Sequence, residues 1–150
     1  MTLEEIENSL PNGFHDSEIV SFTVDYLERR ATIQLAVFVG ELDAPPEKRE
    51  SYRDASLVIS GLFFMVIEPP DAEYPLAKGS SLQIDACMTK ALDPKLIAAL
   101  PAASFVRSFF VFPWNGCIHV AGMDAEIEWT GPVNYRKKRE HYLPGETIEL

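Results

Sequence analysis

Apolar side chains recur at every second position through Val20-Phe22-Val24-Tyr26, Ile33-Leu35-Val37-Val39 and Met123-Ala125-Ile127-Trp129, with polar residues at most of the positions between. Neighbouring side chains on a strand point to opposite faces, so each run buries one row and leaves the other wet. Three such runs spread over the chain satisfy their apolar rows together in an antiparallel sheet with one covered face.

Other segments supply the remaining elements. Thr2-Leu3-Glu4-Glu5 reads as a capping box ahead of Leu3, Ile6 and Leu10 at helical spacing, and Pro11-Asn12-Gly13 stops that helix in a turn. Leu27-Glu28-Arg29-Arg30 is short enough to join two strands as a hairpin, and Glu41 to Asp54, with Pro45-Pro46, is a long loop or a loop with one helical turn. In Ala55 to Ile67 the stretch Phe63-Phe64-Met65-Val66-Ile67 is apolar at every position, which predicts a central strand covered on both faces. Leu82, Ile84 and Ala86 alternate in a further strand, and Asp93-Pro94 caps a short helix running to Leu100. Phe105 to Phe112 and Cys117 to Ala121 are joined through Pro113-Trp114-Asn115-Gly116, where Asn-Gly suits a type I′ turn. With 150 residues and no repeat or linker, residues 1–150 are expected to form one globular domain, α+β but mostly β, with about seven antiparallel strands and two short helices.

Charge narrows the function classes. The chain has 23 acidic and 13 basic residues, a net charge of −10, which repels a phosphate backbone, so nucleic acid is not expected as a partner. Residues 1–75 hold 15 acidic and 5 basic residues, and residues 76–150 hold 8 of each. Gathered on one surface, that excess would steer a basic protein partner; spread out, it serves solubility. The run Arg136-Lys137-Lys138-Arg139 reads as a solvated tail rather than an RNA or membrane signal. The longest apolar stretch, Leu57 to Ile67, is short of the ~20 residues a bilayer needs, and the first residues lack the charge and apolar run of a secretory signal, so no membrane and a cytoplasmic location are expected. Cys87 and Cys117 are the only cysteines; without a Cys-x-x-Cys pair, neither zinc nor any other cofactor is expected.

The candidate site residues are acidic or aromatic. His15-Asp16 resembles the metal-binding dipeptide of HD phosphohydrolases, but it precedes a strand rather than sitting on a helix, and Asp16 suits a turn that fixes strand entry. Cys117 and His119 share one face of a strand without an identifiable third group. Asp124, Glu126 and Glu128 put three carboxylates on one sheet face, roughly 7 Å apart in succession: a docking stripe or a solvated face. Trp114 is either an interface anchor or a cap on the core. In an up-and-down meander, His15-Asp16, the loop Glu41 to Asp54 and a Gly122-Met123-Asp124 turn would share one end of the sheet, where Glu41, Asp43, Glu47 and Glu50 enlarge an acidic rim.

Phe14-His15-Asp16-Ser17-Glu18-Ile19, and later Phe112-Pro113-Trp114-Asn115-Gly116 followed by Asp124-Ala125-Glu126-Ile127-Glu128-Trp129, resemble the start and end of a group of small uncharacterised bacterial proteins with an FHD-S/A-x-I/V motif. Some similar short proteins are immunity proteins of polymorphic toxin systems. The resemblance implies a bacterial protein without catalytic residues that can be carried over. The leading expectation is therefore a non-catalytic protein-binding domain, an immunity-type inhibitor docking a basic partner through His15, Asp16, Glu41, Asp43, Glu47, Trp114, Asp124, Glu126 and Glu128. Two other classes stay open: a small-molecule or metal-dependent hydrolase using His15 and nearby carboxylates, and a structural module that oligomerises through a strand edge.

Overall fold

The computed structural model describes residues 1–41, 43–72, 82–88 and 92–135. Its first helix, α1 (Leu3–Ser9), begins in a reciprocal cap: the Glu5 amide donates to the Thr2 hydroxyl at 3.2 Å, and the Thr2 amide to the Glu5 carboxylate at 2.6 Å. Leu3, Ile6 and Leu10 are buried along one stripe. The chain then runs through β1 (Pro11–Phe14), β2 (Glu18–Asp25), β3 (Arg30–Phe38), the single turn α2 (Pro46–Arg49), β4 (Ser51–Ser60), β5 (Phe64–Ile67), β6 (Leu82–Met88), α3 (Pro94–Ala98), β7 (Phe105–Val111), a 3-10 turn (Phe112–Trp114), β8 (Gly116–Gly122) and β9 (Asp124–Tyr135).

Eight strands form one antiparallel sheet in the order β5-β8-β7-β6-β2-β3-β4-β9. Its two ends are two halves of one ribbon. β4 continues into β5 and β8 into β9, and backbone hydrogen bonds carry the pairing across the corner with a register shift of one residue: Ser60 pairs with Asp124, Met123 N–H donates to Ser60 O at 3.0 Å, Phe63 N–H to Ala121 O at 2.8 Å, and Phe64 pairs with Ala121. The sheet therefore rolls up on itself. Gly61 makes the corner, since its φ of +60° is open to glycine at little steric cost and a Cβ there would lie 2.8 Å from the Met123 side chain.

Three sequence expectations are corrected, the first two by this closure. Gly122-Met123-Asp124 is not a turn: it is the kink at which one strand runs on. Phe63 to Ile67 is not central: among the described residues β5 pairs only with β8, at the end of the sheet, and Ile67 is 46% exposed. The expected inward row of β2 also slips, because Val20 is the extra residue of a bulge between Ile19 and Ser21; Ile19 is buried and Val20 is 69% exposed. Tyr26 falls beyond the strand end and is exposed too. The sheet has one strand more than expected because Gly61 divides Ala55 to Ile67 in two.

Inside the roll, Ile33, Leu35 and Val37 of β3 meet Ala55, Leu57 and Ile59 of β4, with Ile84, Phe109, Val111, Ile118 and Val120 opposite. Phe14 closes this core edge-on to Phe109, their ring centroids 5.6 Å apart. β7 pairs with β8 but not with β9, and α1 packs where the two part. Glu7 forms an ion pair with Arg107 there, and Ala125 N–H donates to Met1 O at 2.7 Å. No helix among the described residues is long and apolar enough to cross a membrane.

Candidate functional site

β3 ends and β4 begins at one mouth of the roll, where Phe38 pairs with Tyr52 and Val39 N–H donates to Ser51 O at 2.9 Å. The chain between them folds back over the mouth because Gly40 lets it: a Cβ at that position would lie 2.0 Å from Arg49 O. Asn12 Nδ2 donates to Gly40 O at 2.9 Å and ties the same loop to β1. What results is a cleft of about 540 Å³ lined by Val39, Glu41, Asp43, Lys48, Ser51 and Val133, among others. Two expected binding residues, Glu41 and Asp43, converge on it. Glu47 is exposed on α2 outside the lining, and Val39, Lys48, Ser51 and Val133 carried no signal in the sequence.

His15 and Asp16 lie at the same end of the sheet, since Glu18 pairs with Ala36 near the end of β3. They make a separate cluster. Asp16 adopts a φ of +62°, its amide donating to Ile84 O at 2.9 Å and its Oδ1 accepting from Gln83 Nε2 at 2.8 Å. His15 Nδ1 lies 3.1 Å from Asp16 Oδ2, and Nε2 lies 3.7 Å from Asp85 Oδ1. The aspartate thus holds the corner into β2 against β6, as a turn-fixing residue does. Among the described residues no three His, Cys, Asp or Glu side chains are grouped to hold a metal.

Asp124 is at the opposite end of β4 from that loop, paired with Ser60, so it does not join the rim expected of it. The Met1 ammonium binds it, and that hydrogen bond and charge hold the Asp124 carboxyl below the usual aspartate value and raise the amine. Glu126 and Glu128 follow on the outward face of β9, both exposed and neither in a hydrogen bond or ion pair among the described residues; Ala125 is buried and Ile127 half-buried on the inward face. Trp114 is half-buried and packs against the core, and it is the neighbouring Phe112 whose ring is exposed.

The Cys117–His119 face contains more than the sequence indicated. Ser108 of β7 lies directly opposite His119 of β8, and Ser108 Oγ is 2.7 Å from His119 Nδ1. On the far side His119 Nε2 is 3.3 Å from Glu68 Oε2, while Glu68 Oε1 accepts the Cys117 amide at 2.7 Å. The order hydroxyl, imidazole, carboxylate is that of an acyl-transfer triad, with the two ring nitrogens exchanged. Attack on a carbonyl requires an approachable oxygen, and Ser108 is 0% and His119 2% exposed. Here the chain of contacts is a lock, joining β7 and β8 to the end of β5. Its register was not readable: a two-residue Asn115-Gly116 turn would pair Trp114 with Cys117, whereas the chain closes through the 3-10 turn Phe112–Trp114 with Asn115 at a φ of +47°, so that Val111 faces Gly116 and Ser108 faces His119. Glu68 carried no signal either, because the pairing of β5 with β8 is distant in sequence.

Comparison with family models, with curated proteins and with solved structures yields no match for this chain.

Proposed function

We propose that this chain is a non-catalytic protein-binding domain, an inhibitor of the immunity type, that docks a basic protein through its unpaired carboxylates. One observation carries the reading: among the described residues, exposed Glu126 and Glu128 on β9, and Glu41, Asp43 and Glu47 around the mouth, take no hydrogen bond or ion pair. Carboxylates left unpaired on a rigid sheet create a field that speeds encounter with a cationic surface and rejects an anionic one.

The test is binding to a basic protein encoded beside its gene, measured by association kinetics. Raising salt from about 50 to about 500 mM shortens the Debye length from roughly 14 to 4 Å, so the association rate should fall steeply. The double reversal E126K/E128K should weaken binding by about tenfold, mainly through that rate. Binding that ignores both salt and reversal of these five positions would overturn the proposal.

A further inference from the structure

We infer that the cleft at the mouth of the roll seats one lysine or arginine side chain of that basic partner, an inference that rests on the function proposed above. Val39 and Val133 give the cleft apolar wall, against which the methylene stem of a long basic side chain packs while its head stays polar. Glu41 and Asp43 stand in the same lining with their charge uncommitted among the described residues. Lys48 adds one ammonium, so the lining's two carboxylates leave a net charge of about −1, which one cation neutralises and a second would exceed; it also offers a donor to the main-chain carbonyl of the inserted residue. A bare metal ion gains nothing from the valines, and an anion meets two carboxylates. The volume of about 540 Å³ falls in the range of ligand pockets and admits one long side chain with its flanking backbone. The hydrogen bonds from Val39 to Ser51 and from Asn12 to Gly40 hold the loop in place, which lowers the ordering cost of binding. Tyr135 pairs with Ser51, and the basic run Arg136-Lys137-Lys138-Arg139, outside the described residues, follows it in sequence, so the test treats that run as a rival occupant.

The experiment titrates the full isotope-labelled chain with Nα-acetyl-arginine amide and, separately, with the uncharged Nα-acetyl-norleucine amide. Saturable shifts at the amides of Val39, Glu41, Asp43 and Ser51 are expected, with millimolar affinity for the arginine compound and at least about fivefold weaker binding of norleucine. The double variant E41Q/D43N should cost about fivefold, and E126Q/E128Q should leave the arginine titration unchanged. Equal binding of the two compounds, or no saturable shift at these amides, overturns the inference. So does saturation that emerges only after Arg136 to Arg139 are all replaced by glutamine, because the occupant is then the chain's own run. If the inference fails while the basic partner still binds through Glu126 and Glu128, the proposed function stands; if the partner does not bind either, that reading has failed as well.

Discussion

Replacing Ser108 by alanine removes one hydroxyl from a closed chain of contacts. Glu68 Oε2 lies 3.3 Å from His119 Nε2, and the neutral tautomer that satisfies both neighbours carries its hydrogen on Nε2 and lets Nδ1 accept from the Ser108 hydroxyl at 2.7 Å. In Ser108→Ala the Nδ1 lone pair faces a methyl group where water does not reach. Leaving a buried acceptor unsatisfied costs about 1–3 kcal/mol, and the lost oxygen adds a small void. A drop of about 2 kcal/mol is expected, which in a domain of this size lowers Tm by about 4–8 °C. His119→Leu removes the other partner, and the pair Ser108→Ala with His119→Leu leaves no unpaired group between them. The double variant should therefore recover at least about 1 kcal/mol relative to the sum of the singles. Urea unfolding followed by fluorescence of the half-buried Trp114 and Trp129 reads this directly, the midpoint moving while the slope stays constant. A Ser108→Ala variant within about 0.5 kcal/mol of the parent, or singles that simply add, would refute the hydrogen-bonded lock.

Three further perturbations bear on the scaffold. Thr2→Ala removes the acceptor for the Glu5 amide and should cost about 1 kcal/mol in thermal or urea unfolding. The Thr2 amide holds the Glu5 carboxyl below its ordinary value, so Glu5→Gln should destabilise near neutral pH, and its effect should vanish as pH falls through that lowered value; an effect that persists in acid would contradict the assignment. Gly40→Ala puts a Cβ 2.0 Å from Arg49 O and 2.7 Å from the Phe38 ring, so the loop must move off the mouth. A loss of about 1–3 kcal/mol is expected, with the amide shifts of Val39 and Ser51 changing together, and a silent variant would show that the close approach is not needed.

What the sequence revealed follows from how far each signal reaches along the chain. The Thr2-to-Glu5 cap, the Asp93 cap on the Lys95 amide and the inward row of β3 depend on neighbours within a few residues, and all appear as expected. Val20 was misplaced because a bulge shifts the alternation by one residue without any mark in composition. The fully apolar Phe63 to Ile67 was misplaced for another reason: its position depends on the corner at Gly61, where β4 and β9 give way to β5 and β8. The corner also explains the fate of the acidic rim. Glu41 and Asp43 reach one cleft because a hairpin-like return brings β3 and β4 together, whereas Asp124 is carried to the other end of β4 by a strand that kinks where a turn was expected.

The acidic residues separate by what the fold does with them. Asp25 accepts the Leu27 and Glu28 amides, Asp93 caps α3, Glu5 caps α1, Glu7 meets Arg107, Asp16 anchors Gln83, and Asp124 binds the Met1 ammonium. Each ends an element or joins two, and neutralising any of them should cost stability. Glu126 and Glu128 do neither. Two positions apart on a strand they lie roughly 7 Å from each other, and their mutual repulsion through water is at most about 0.6 kcal/mol before salt screening. The nearby Met1 ammonium attracts Glu126 and offsets part of that repulsion, so replacing both by glutamine should change stability by no more than a few tenths of a kcal/mol in either direction. The same substitutions should slow association with a basic partner. Folding alone gives no reason for such residues; solubility or a surface that meets a cation does, and slowed association with a basic partner separates the two. If E126Q/E128Q unfolds at distinctly lower urea than the parent, these carboxylates belong with the structural set and the case for a docking face on β9 collapses.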